Sequence, residues 1–124
     1  MAKILVIDDD PHMRRMVRRA LEGAGHSVVD YGDGRGGITH LAREAPDLLI
    51  TDIFMPEMEG LETIRRVRGI NAALPIIAMS GVSIEGGDYL DIAAKFGAFA
   101  TLKKPFRPAE LTELVAKLLV PATS

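Results

Sequence analysis

The chain has 124 residues, 48% hydrophobic and 26% charged, with a formal net charge of -2. That is enough for one domain with a real core, and the slightly acidic balance gives no bulk attraction for nucleic acid. There is no cysteine, which excludes disulfides, thiolate metal sites and cysteine nucleophiles. No apolar run has the length of a signal peptide or a membrane span, so a cytoplasmic chain without a membrane partner is expected.

The first predicted element is the strand "KILVI", residues 3–7. At Pro11 the period changes: Met13, Met16, Val17, Ala20, Leu21 and Ala24 fall on one helical face. Asp10 is placed to cap that helix, with Pro11 at its first position and Gly25 at its end. A second strand is predicted over 26–31, then a glycine-loosened helix over 34–45. A third strand, "DLLIT", precedes Asp52, and a helix over 61–69 follows. Residues 74–80 read as a fourth strand, 88–98 as a helix, 99–104 as a fifth strand and 108–120 as the last helix. Strict strand–helix alternation implies an α/β fold with a parallel sheet covered by helices on both faces. The whole chain, residues 1–124, reads as a single domain with no output domain fused to it.

In such sheets functional groups collect beyond the carboxyl ends of the strands. Strand 1 delivers Asp8, Asp9 and Asp10 there, strand 3 Asp52, strand 4 Ser80 and Gly81, and strand 5 Lys103, Lys104 and Pro105. Carboxylates can hold a hard divalent cation such as Mg²⁺ through oxygen. One of them can attack phosphorus, while an ammonium and a hydroxyl bind the oxygens of the transferred group. A carboxylate at the end of an apolar strand is otherwise costly, and a metal plus Lys104 would offset the charge of Asp52. Asp10 reads as a cap, and Lys103 as pointing away from the site, since strand neighbours alternate.

The motifs "ILVIDDDP", "ITDIFMPEMEG", "IIAMSG" and "LKKPF" resemble, in order and spacing, a receiver domain of the two-component response regulators, of the stand-alone chemotaxis-regulator type. The resemblance covers essentially the whole chain. It implies a doubly wound, five-stranded parallel sheet of order 2-1-3-4-5. It also implies that Asp52 accepts a phosphoryl group from a phosphohistidine on a sensor histidine kinase or a histidine phosphotransfer protein. Mg²⁺ would be bound by Asp9, Asp52 and the backbone carbonyl of Phe54, with Asp8 acting through water. Lys104 and Ser80 would contact phosphoryl oxygens, Gly81 would let the backbone lie close to the phosphate, and the Lys104–Pro105 peptide would be cis.

The chain departs from the family pattern in three places. Thr101 stands where many receivers carry a switching aromatic residue, and Phe99 lies two residues earlier on the same strand face. The segment from Ser80 to Gly97 is about two residues longer than the commonest receivers by analogy with the family, and Gly86 and Gly87 suggest a mobile loop there that orders on phosphorylation. Phe54 and Val82 are apolar beside the acceptor, which predicts shielding of the acyl phosphate and slow hydrolysis. Phe54 also argues against an aspartyl-phosphate phosphohydrolase, which usually carries a second aspartate at that position. "DDDPH" argues against a phosphate-cradling binder, because it repels an anion unless a cation intervenes. A phosphorylation-independent interaction module is the other alternative. Arg14, Arg15, Arg18 and Arg19 make the first helix basic, either as a solvated face or as a contact for an acidic phosphodonor. His12, His26 and His40 share no metal spacing and read as surface or packing residues.

Overall fold

Two five-residue strands, β3 (Leu48–Asp52) and β4 (Ile76–Ser80), are buried at every position. That is the pattern of central parallel strands covered on both faces. A computed structural model of the chain describes residues 2–53, 60–81, 83–84, 87–88, 94–95 and 97–119. Around these two strands lie β1 (Lys3–Ile7), β2 (Ser27–Tyr31) and β5 (Ala100–Lys103), and the helices α1 (Pro11–Gly23), α2 (Gly34–Arg43), α3 (Gly60–Ile70) and α4 (Pro108–Leu119). The sheet is parallel throughout, as the alternation of elements implied, and its order is β2-β1-β3-β4-β5, as the family resemblance implied.

Alternate strand residues feed two cores, because successive side chains point to opposite faces. Val6, Ile50 and Met79 pack with Val17 and Leu21 of α1 and Leu111 and Val115 of α4. Leu5, Ile7, Leu49 and Ala78 pack with Leu41 of α2 and Ile64 and Val67 of α3.

The capping predictions hold. The Asp10 side chain accepts from the backbone N–H of His12 at 2.9 Å and of Met13 at 3.4 Å, and Gly25 adopts φ +94°. Helix α1 stops one residue short of the predicted apolar face, so Ala24 is an exposed cap residue and not part of the core. Helix α2 forms despite its glycines because Asp33 caps it through Gly36 N–H at 2.7 Å. A Cβ at Gly37 would also run into Ile7, so close packing of this helix on β1 requires glycine.

A larger departure from the sequence reading follows β4. Asp88 does not open a helix: Gly87–Asp88 pairs antiparallel with Ser83–Ile84, which commits its backbone to a ladder instead. Ala94 and Lys95 are helical, while the rest of the predicted helix over 89–96 lies outside the described residues. So does most of the loop expected to be mobile. Among the described residues no helix is long and apolar enough to cross a membrane.

Candidate functional site at the carboxyl end of the sheet

The first acidic residue after β1 is fully enclosed. Asp8 is 0% exposed, and its backbone N–H donates to Tyr31 O at 3.1 Å. One carboxylate oxygen accepts from Asp10 N–H at 2.9 Å and the other from Lys104 Nζ at 3.0 Å. A buried charge needs this kind of compensation, and all of it comes from the turn that follows β1 and the end of β5.

Asp52, the last residue of β3, is 7% exposed, and its Oδ2 lies 3.3 Å from the same Lys104 ammonium. Its backbone carbonyl accepts from Thr51 Oγ1 at 3.0 Å. Gly60, at the start of α3, donates its N–H to Ile53 O at 2.6 Å and sits so close to the backbone of Asp52 that a Cβ there would collide with main-chain atoms. The sequence motif contained this glycine, but its role as the surface on which the end of β3 rests needed the structure.

Asp9 is exposed at the rim. Asp8, Asp9 and Asp52 each bring one carboxylate oxygen into a group whose members all lie within 4.8 Å of one another. Three hard oxygen donors at that spacing fit a divalent cation of the Mg²⁺ class.

Lys104 is placed by its backbone as well as its charges. Its N–H donates to Ser80 O at 2.9 Å, and the Lys104–Pro105 peptide is cis. Burial lowers the pKa of the ammonium, but attraction to Asp52 and Asp8 outweighs it, leaving the group above its ordinary value of 10.5. Lys103 is exposed and turned away, as strand alternation required.

Ser80 is 2% exposed at the end of β4, opposite Lys103 in the β4–β5 register. A Cβ at Gly81 would lie 3.3 Å from Lys104 Cβ, so the lysine stem runs close beneath this backbone. Thr101 is exposed, paired with Ala78 in the ladder. Phe99 is 53% exposed and lies under the Arg68 guanidinium, 4.7 Å from the ring centroid. It is therefore engaged with α3. Phe54, expected to offer a carbonyl, and Val82 lie outside the described residues.

The basic face of α1 divides in two. Arg14 and Arg18 are half-buried and bind Asp30 at 3.3 and 2.8 Å, while Arg15 and Arg19 are exposed. The signal for this division was in the sequence: residues four apart share a helix face, so Arg14 and Arg18 had to point the same way.

The sequence profile of the response regulator receiver domain matches residues 4–116. The chain belongs to the response regulator receiver domain family. This receiver is 36% identical over 125 residues to the response regulator receiver protein CpdR of Brucella abortus, covering 98% of this chain and all of that protein. It shares 35% identity with the transcriptional regulator NtrC of Salmonella typhimurium, spanning 94% of this chain and 24% of that larger protein. Among solved structures, the chemotaxis protein CheY4 of Vibrio cholerae superposes with a TM-score of 0.87 at 31% identity, covering 96% of this chain and 99% of that one. A member of this family works in two-component signalling as a phosphoacceptor, with a phosphodonor such as a histidine kinase on one side and a target on the other. It is not an enzyme that turns over external substrates. Receivers bind Mg²⁺ in an acidic pocket, and the aspartate group of this chain fits that ion.

Proposed function

We propose that Asp52 is the phosphoacceptor of this receiver and that Asp8, Asp9, Ser80 and Lys104 serve it. The observation that carries this reading is the position of Asp52. It is a nearly buried carboxylate at a strand end, 3.3 Å from an ammonium and within 4.8 Å of two further carboxylates. No demand of the fold explains so much enclosed charge, whereas phosphoryl chemistry needs each part of it.

In the proposed reaction a carboxylate oxygen of Asp52 attacks the phosphorus of a phosphohistidine on a sensor histidine kinase or histidine phosphotransfer protein. The oxygen–phosphorus bond forms as the phosphorus–nitrogen bond breaks, and the departing imidazole takes up a proton. Lys104 transfers its contact from Asp52 to a phosphoryl oxygen, and Ser80 donates its hydroxyl to another. Mg²⁺, held by Asp9, Asp52 and the carbonyl of Phe54 with Asp8 acting through water, would screen the carboxylate from the incoming anion. Formation and hydrolysis of the acyl phosphate then use the receiver's own residues. Gly81 supports the site by letting the backbone run close to the Lys104 side chain. With Thr101 in place of an aromatic residue, the signal would pass from Ser80 directly to the segment after β4. The chain would act in the cytoplasm as a protein-interaction switch or a relay intermediate, without nucleic acid.

Intact mass after incubation with Mg²⁺ and a small acyl-phosphate donor tests the assignment. The native chain should gain one phosphoryl group, and Asp52→Asn none. An equal adduct on both proteins would move the acceptor elsewhere.

A further inference from the structure

We propose that Arg14 is a positioning residue for the divalent cation, acting through the backbone of Asp8. The inference rests on the reading of Asp8, Asp9 and Asp52 as the metal pocket, and it names a residue that touches neither metal nor phosphate. Arg14 Nη1 donates to the carbonyl oxygen of Asp8 at 2.8 Å, while its Nε lies 3.3 Å from Asp30 Oδ1. A guanidinium can hold two acceptors at fixed relative positions because its donors form a rigid planar fork.

Both ends of this bridge are themselves fixed. Asp30 is gripped from its other side by Arg18 Nη1 at 2.8 Å, so its carboxylate sits between two arginines. The side chains of Arg14 and Asp30 are only 24% and 23% exposed. The turn after β2 closes over the guanidinium: a Cβ on Gly32 would lie 3.1 Å from Arg14 Nη1. On the other side, the N–H of Asp8 is already given to Tyr31.

The carbonyl that Arg14 holds belongs to the peptide joining Asp8 to Asp9. Among the described residues no side chain pairs with the Asp9 carboxylate, so Asp9 is aimed by its backbone alone. Fixing that peptide to α1, and through Asp30 to β2, sets where the Asp9 carboxylate can reach. Because Asp30 and Glu22 together offset Arg14 and Arg18, with Glu22 3.2 Å from Arg18, Arg14 orients the turn while adding little net charge to repel a cation.

The test is calorimetric titration of Mg²⁺ into the native chain, Arg14→Lys, Arg15→Ala and Asp30→Asn, with thermal unfolding of each in a chelator. Arg14→Lys keeps the charge but loses the fork. Its Mg²⁺ dissociation constant should rise roughly tenfold, the low end of what loss of an outer-shell partner costs a metal site. Arg15→Ala, an exposed neighbour on the same helix, should bind like the native chain. Saturating Mg²⁺ should restore the rate at which Arg14→Lys takes phosphate from an acyl-phosphate donor. Native affinity in Arg14→Lys, with only its unfolding temperature lowered, would reduce Arg14 to a structural tie and overturn the inference. If Arg14→Lys does not fold, Asp30→Asn decides, since it leaves the arginine but releases its anchor. Mg²⁺ binding weaker than that of the native chain even in high salt, which screens the uncovered arginine charge, supports the inference, and native affinity under those conditions overturns it. A native chain that binds no Mg²⁺ would overturn the metal-pocket reading, and the role of Arg14 with it.

Discussion

Two lysine–carboxylate pairs of nearly equal length sit at opposite ends of the same sheet. At the amino end of β1, Lys3 Nζ meets Glu44 at 3.1 Å, with side chains 64% and 53% exposed. Beyond the carboxyl end, Lys104 Nζ meets Asp8 at 3.0 Å, with exposures of 17% and 0%. The distances are the same for any energetic purpose. The difference is water. At the amino end solvent screens the pair, and the hydrogen bond from Lys3 does little more than lower the Glu44 pKa. At the carboxyl end one lysine bridges two carboxylates that solvent hardly screens. Charge at one end belongs to an ordinary surface, and at the other it is a cost to the fold that only a function accounts for.

The comparison breaks most readily at Lys104. Lys104→Met leaves Asp8 and Asp52 without their shared cation and should cost about 2–3 kcal/mol in a chelator, somewhat less than breaking a wholly buried pair. Denaturant unfolding measures it, and added Mg²⁺ should recover much of the loss. A cost no larger than that of Lys3→Met would show that burial is not what separates the two pairs.

The next effect is in pH. The pKa of Lys104 is raised, so its stabilising contribution is fully present below the ordinary lysine value and is lost as pH climbs through the higher folded value. The stability gap between the native chain and Lys104→Met should therefore hold constant through neutral pH. It should close only above about 10.5, as unfolding curves collected across alkaline pH would show.

The smallest effect belongs to the exposed pair. Lys3→Met should change stability by less than about 1 kcal/mol, and 1 M salt should erase most of that. The same salt should leave the larger cost of Lys104→Met nearly intact.

The strands and the site shared one source in the sequence, whereas the order of the strands came from the family resemblance. Fully apolar runs such as "IIAM" mark covered strands, and a charge placed directly after such a run marks the site edge. That is why Asp8, Asp52, Ser80 and Lys104 could be named in advance and found together. Contacts between segments far apart in sequence were not legible. Nothing local says that Gly60 lies against the backbone of Asp52, or that Arg14 reaches back to the carbonyl of Asp8. The reading also failed where two local signals competed. Asp88 follows two glycines and precedes an apolar stretch, which suits a helix start, yet its backbone pairs with Ser83.

The central claim is that the enclosed charge at the carboxyl end exists so that one carboxylate can carry a phosphoryl group. The most direct test is to phosphorylate the native chain with an acyl-phosphate donor and Mg²⁺, reduce it with borohydride, and map the peptides by mass. Reduction converts an aspartyl phosphate to homoserine. The account predicts homoserine at position 52 alone. Homoserine at position 8 or 9, or none at all from a chain carrying a phosphoryl adduct, would contradict it.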